Sequence, residues 1–65
     1  MEFQDYWVLK IYNRKNPDTV LHRYYYDRLS EARFNFIRRK GRGDLARLSL
    51  ETCQGLVVDY WEREE

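Results

Sequence analysis

The side chains best suited to bond-making chemistry are scarce in this chain. It has one histidine, His22, and one cysteine, Cys53. A zinc site draws three or four ligands from Cys, His and carboxylates at characteristic spacings, and neither residue has a second of its kind nearby. A thiolate–imidazole pair would require two separate hairpin regions to meet, and Cys53 stands in what reads as a turn. Aspartate and glutamate together number 11, but none is set in an apolar surround that would tune it as a general acid. No strand–glycine–helix loop is present to cradle phosphate. The expectation is a protein that is not an enzyme, with no metal, no cofactor and no small-molecule substrate.

Two constellations point instead to binding. The first is a set of aromatics interleaved with cations. On the strand registers derived below, one sheet face shows Tyr6, Val8, Lys10, Tyr12, Leu21, Arg23, Tyr25, Arg47, Val57, Trp61 and Arg63. Tyr, Trp and Arg are the anchors enriched in protein interfaces. Rings that stack on bases beside cations that meet phosphates also describe a single-strand nucleic-acid platform. The bland alternative is that the rings pack across strands and stabilise a thin sheet. The second constellation is RRKGRGD at 38–44. Arg38, Arg39, Lys40 and Arg42 could grip phosphate oxygens, with glycines that let backbone approach. Cations at a helix C-terminus also simply answer the helix dipole, which is the favoured reading. The Arg42-Gly43-Asp44 tripeptide matches integrin ligands, but three-residue matches are frequent by chance and nothing indicates secretion.

The elements that must position these groups surround residues 27–40. Leu29, Ala32, Arg33, Phe36 and Ile37 recur at helical spacing and mark one face. Asp27 is expected to cap the N-terminus, Glu31 and Arg38–Lys40 to complement the dipole, and Gly41 to end the helix in a left-handed conformation. Phe34 lies off the stripe. It is expected as a side wall of the core, the alternative being an exposed contact.

A hairpin flanks the helix on each side. In 3–12, Phe3, Trp7, Leu9 and Ile11 alternate with mixed residues, as in a strand with one buried face. The NRKNPD stretch turns the chain, and 19–26 forms a second strand rich in aromatic and β-branched residues. In that strand Val20, His22, Tyr24 and Tyr26 are expected inward, and Leu21 and Tyr25 outward. Beyond a loose loop, Ala46, Leu48, Leu50 and Thr52 alternate with Arg47, Ser49 and Glu51. A turn closed by Gly55 leads to 56–61, with Leu56, Val58 and Tyr60 inward and Val57, Asp59 and Trp61 outward. The fold class is α+β: a four-stranded antiparallel sheet with one helix packed on one face, in the order β-β-α-β-β. The 65 residues form one small domain: hairpin 3–26, helix 27–40, hairpin 45–61 and a frayed end at 62–65. The expected core is Trp7, Leu9, Ile11, Leu29, Ala32, Phe36, Leu48, Leu50, Leu56 and Val58.

A lone cysteine forms no internal disulfide, and no apolar run is long enough for a signal peptide or membrane span. A soluble cytoplasmic protein that does not enter membranes is expected. The net charge of +1 does not by itself demand nucleic acid, although the basic cluster is a local positive patch.

WVLKIY, a polar turn, a strand ending YYYD, then RLSEARFNF, LSLET, QG and LVVDYW resemble small β-β-α-β-β proteins encoded by bacterial phages and mobile elements. The resemblance spans nearly the whole chain and rests on pattern. It implies a regulator that acts by binding a host or defence protein. The overall expectation is a non-catalytic binding protein. It would use the sheet face at Tyr6, Val8, Lys10, Tyr12, Arg23, Tyr25, Val57 and Trp61, or the basic helix end. The partner would be a host protein or a second copy in a homodimer. The alternative is a small single-stranded nucleic-acid-binding protein.

Overall fold

The computed structural model describes residues 5–64. The start of the first strand at Phe3 and the last residue of the tail lie outside them. Four strands, β1 (Trp7–Asn13), β2 (His22–Tyr26), β3 (Leu45–Thr52) and β4 (Val57–Glu62), and one helix, α1 (Leu29–Arg39), follow in the order β1-β2-α1-β3-β4. The strands form one antiparallel sheet in the spatial order β2-β1-β3-β4. Each hairpin contributes one central and one edge strand, and α1 covers one face.

That face holds the core. Leu9, Ile11, Leu48 and Leu50 meet Ala32 and Phe36 from the helix, with Leu45 beside them. Tyr24, Tyr26, Trp7, Leu29, Val58 and Trp61 pack around this cluster. Period-two alternation places Leu9 and Ile11 opposite Leu50 and Leu48 on the central strands. Tyr24 and Tyr26 fall on the same side as Leu9 and Trp7, their partners on β1.

Two register shifts explain where alternation misleads. The pairs Leu50↔Asp59 and Glu51↔Val57 leave Val58 as an extra residue on β4. A bulge of this kind reverses the inward–outward assignment beyond it. Trp61 therefore sits opposite Leu48 and packs on the core, while Tyr60 turns to the open face, 46 % exposed. Both reverse the expectation from the sequence. A second shift between Tyr12 and Asn13 pairs Asn13 with Leu45, skipping Ala46. It turns Leu45 into the core at 6 % exposure, a position that strict alternation does not assign to it. Leu56, expected inside, belongs to the turn ahead of β4 and is exposed.

The helix also differs in detail. Asp27 does not cap it. Arg28 holds the N-cap position in extended conformation, without a side-chain cap bond. The buried line runs through Leu29, Ala32 and Phe36, and Arg39 continues it as a half-buried residue. Ile37 is on the solvent side with Arg33, and so is Phe34, which is no side wall of the core. A short helix lying on a sheet touches it along a narrow line, so Arg33 and Ile37, roughly 80–120° round from that line, stay wet, and Phe34 lies roughly opposite it. Gly41 and Gly55 adopt positive φ, +83° and +90°, ending the helix and closing the β3–β4 turn. At the tail, Glu62 is still in β4 and the Arg63 N–H donates to the Ala46 carbonyl, so 62–63 continue the ladder rather than fray.

Candidate functional site

The face of the sheet away from α1 is assembled from alternate residues of all four strands. Its rows are Tyr25–Val8–Glu51–Val57, Arg23–Lys10–Ser49–Tyr60, and Tyr12–Arg47–Glu62. Tyr6, just ahead of β1, joins it by packing its ring 6.0 Å from that of Tyr25. The centre of this face is polar. Val8 is buried, and so is Ser49, beneath their longer neighbours. Over them lies a polar chain. Lys10 Nζ stands 3.0 Å from Glu51 Oε1, and the Ser49 hydroxyl donates to Glu51 Oε2 at 3.0 Å.

A second chain crosses the next row. The Arg47 guanidinium lies 4.1 Å from the centroid of the Tyr12 ring, close enough for a cation–π contact. A hydrogen bond to Tyr60 raises its pKa further above the ordinary arginine value, against a smaller opposing effect of burial. The Tyr60 hydroxyl in turn donates to Glu62 Oε1 at 3.1 Å. Lys10 and Arg47 are therefore answered by groups of the same chain. Arg23 is exposed at the β2 end of the face.

The exposed apolar and aromatic area lies to the sides of this polar centre. Tyr25 is 62 % and Val57 60 % exposed, with Tyr6 and Tyr60 less so. Leu21, just ahead of β2, is also exposed. Of the expected face residues, Tyr6, Val8, Lys10, Tyr12, Arg23, Tyr25 and Val57 share this side; Trp61 is on the other, for the reason given above. Tyr60 is the addition. Only the β4 bulge brings it here, and period-two reading has no signal for that.

The basic cluster is not a single patch. Arg38 turns back over the exposed Phe34 ring at 5.9 Å, and Arg39 covers Tyr24 of β2 at 4.5 Å. Lys40 is exposed at the helix end. Arg42 contributes its backbone carbonyl, which accepts from Arg63 and from the Leu45 N–H. The two arginines nearest β2 act on Tyr26. Burial raises its phenol pKa, and the positive charges of Arg39 and Arg38 offset only part of the rise.

His22 and Cys53 are far apart. His22 pairs with Ile11 at one end of β1, whereas Cys53 follows Thr52, the partner of Trp7 at the other. Four residues of strand separate those levels, roughly 13 Å. Among the described residues, no group of three His, Cys, Asp or Glu side chains could hold a metal. A depression of about 510 Å³ lies at the end of the sheet, where Arg14, Arg47 and Arg63 stand with Asp18 and Glu62. Arg63 spends its guanidinium on the Leu45 and Arg42 carbonyls and ties the 41–44 loop to the end of β4. No helix among the described residues is long and apolar enough to cross a membrane. Compared with protein-family models, curated proteins and solved structures, the chain matches none of them.

Proposed function

We propose that this is a non-catalytic binding protein whose open sheet face docks on another protein. The observation that carries the reading is the way this face spends its charges. Its central cations are engaged within the chain, Lys10 by an ion pair with Glu51 and Arg47 by the Tyr12 ring and a hydrogen bond to Tyr60, while Tyr25, Val57, Tyr60 and Tyr6 remain in water. Phosphate binding requires cations that can release counterions to the ligand. Protein interfaces instead combine exposed aromatic anchors with hydrogen-bonded polar groups. In its sharpest form the proposal is a regulator from a phage or mobile element acting on a host or defence protein. That form rests on the pattern resemblance given above.

The test places a photo-crosslinking amino acid at Tyr25, Val57 or Tyr60, and, for comparison, at Phe34 on the outer side of α1. Expressed in the native host, the three sheet positions should yield a defined protein adduct and the helix position none. Adducts to nucleic acid, or to protein from Phe34 alone, would sink the proposal. Adducts of the chain with itself would make the partner a second copy.

A further inference from the structure

We propose that the outer edge of β2 is a strand-addition site for an extended, acidic segment of a partner protein. The sheet has two edges, β2 and β4, and they are protected very differently. An open edge is a template for another strand, and proteins blunt those that are not to be used. On β4 the Arg63 N–H bonds to Ala46, so alternation points the Tyr60 and Glu62 backbone outward. The Asp59 carboxylate accepts the outward Tyr60 N–H at 3.2 Å, and the bulge at Val58 interrupts the same edge. Asp59 and Glu62 add negative charge.

β2 has none of these devices. Its pairs with β1 run from Trp7↔Tyr26 to Ile11↔His22 without a shift. The Leu21 N–H bonds to the Ile11 carbonyl, so the backbone groups of Ile11 face β2 and those of its partner His22 face β1. Alternation then turns the N–H and C=O groups of Arg23 and Tyr25 outward. No hydrogen bond to them occurs among the described residues.

The surroundings of that edge select the occupant. Arg23 flanks it on the open face, and Arg39, stacked on Tyr24, flanks it on the helix face. Arg39 is half-buried there, and its Nε, like that of Arg47, is buried without a hydrogen-bond acceptor. An added strand sends alternate side chains to the two faces, so acidic residues on it meet Arg23 on one side and Arg39 on the other. A second copy pairing β2 to β2 would bring the same arginines together, and nucleic acid offers no strand backbone to the ladder. The inference rests on reading the chain as a binding protein, but not on its open face.

The probe is a blocked eight-residue peptide of the repeat Glu-Glu-Val-Val, which sends glutamates to both faces of an added strand, with the same peptide carrying lysine for glutamate as control, followed by amide hydrogen exchange. The glutamate peptide should slow exchange at the Arg23 and Tyr25 amides by about tenfold or more, as new ladder bonds do. The lysine peptide should not. Tyr25→Pro removes an outward N–H and should abolish the effect, Tyr25→Ala should keep it, and Phe34→Ala should leave it unchanged. Should the proline variant fail to fold, Arg23→Glu serves, weakening the glutamate peptide about tenfold, as loss of a complementary charge does. The assignment is overturned if neither amide is protected at millimolar peptide, or if both peptides protect equally. It is likewise overturned if concentrated protein protects these amides by itself at a dimer mass. Failure of the crosslinks at Val57 and Tyr60 with edge protection intact would remove the open-face reading alone.

Discussion

Phe34 and Phe36 stand two residues apart on the same helix, and truncating each to alanine should have opposite consequences. Phe36 is 2 % exposed and Phe34 is 62 % exposed. The only other fully buried residue of α1 is Ala32, so Phe36 is the one large side chain that holds the helix to the sheet from its middle. Truncating a buried phenylalanine costs about 3–5 kcal/mol in transfer and cavity terms. A chain of 65 residues has roughly 3–10 kcal/mol in all, at about 0.05–0.15 kcal/mol per residue. Phe36→Ala should therefore leave little or no folded population at 25 °C, or lower Tm by roughly 20–35 °C if the domain begins at the stable end. Phe34→Ala gains about 0.5 kcal/mol of helix propensity. It loses a solvent-exposed contact with the Arg38 guanidinium worth about the same. Its net effect should stay within about 0.5 kcal/mol. Urea titrations followed by far-UV circular dichroism measure both. Equal losses from the two variants would show that α1 is rotated from the orientation described, and an unaffected Phe36→Ala would place the helix off the sheet.

Three further outcomes follow from the polar groups. Glu51→Ala should cost more than Lys10→Ala, because Glu51 also accepts from the buried Ser49 hydroxyl and its loss leaves that group unpaired, at about 1–3 kcal/mol; denaturation of the two single variants and the double variant measures the coupling, and equal costs would contradict the bonding. The raised phenol pKa of Tyr26 means that the unfolded chain loses its proton first as pH climbs past the ordinary value of 10.0, so this contribution is intact below pH 10 and is lost as pH rises through the folded pKa. Melting curves above pH 10 should show a smaller alkaline loss for Tyr26→Phe than for the parent, and identical profiles would remove the assignment. Asp59→Val frees the Tyr60 N–H and removes a charge from the β4 edge, and should produce concentration-dependent association in sedimentation velocity; a variant that stays monomeric at all concentrations would show that the carboxylate does not guard that edge.

Periodicity alone was sufficient for the element order and most of the core. Alternating Leu9–Ile11 and Leu48–Leu50, and the Leu29–Ala32–Phe36 spacing on one helix, admit few arrangements that bury all seven. Turn chemistry was equally local: Gly41 and Gly55 take the positive φ that their places between elements require. The open sheet face was legible as a composition, since Tyr6, Lys10, Tyr12, Arg23, Tyr25 and Val57 follow from the same alternation. Three things were decided only when the strands paired. Bulges at Val58 and Ala46 exchanged Tyr60 with Trp61 and drew Leu45 inside, because a one-residue slip inverts every side chain beyond it and depends on the partner strand. The pairing also brought Lys10 to Glu51 and Arg47 to Tyr12 and Tyr60, contacts between residues distant in sequence, which give the face a bonded polar centre. Strand order, finally, made β2 and β4 the edges. Which edge carries a plugged amide is a property of backbone direction, and side-chain pattern carries no record of it.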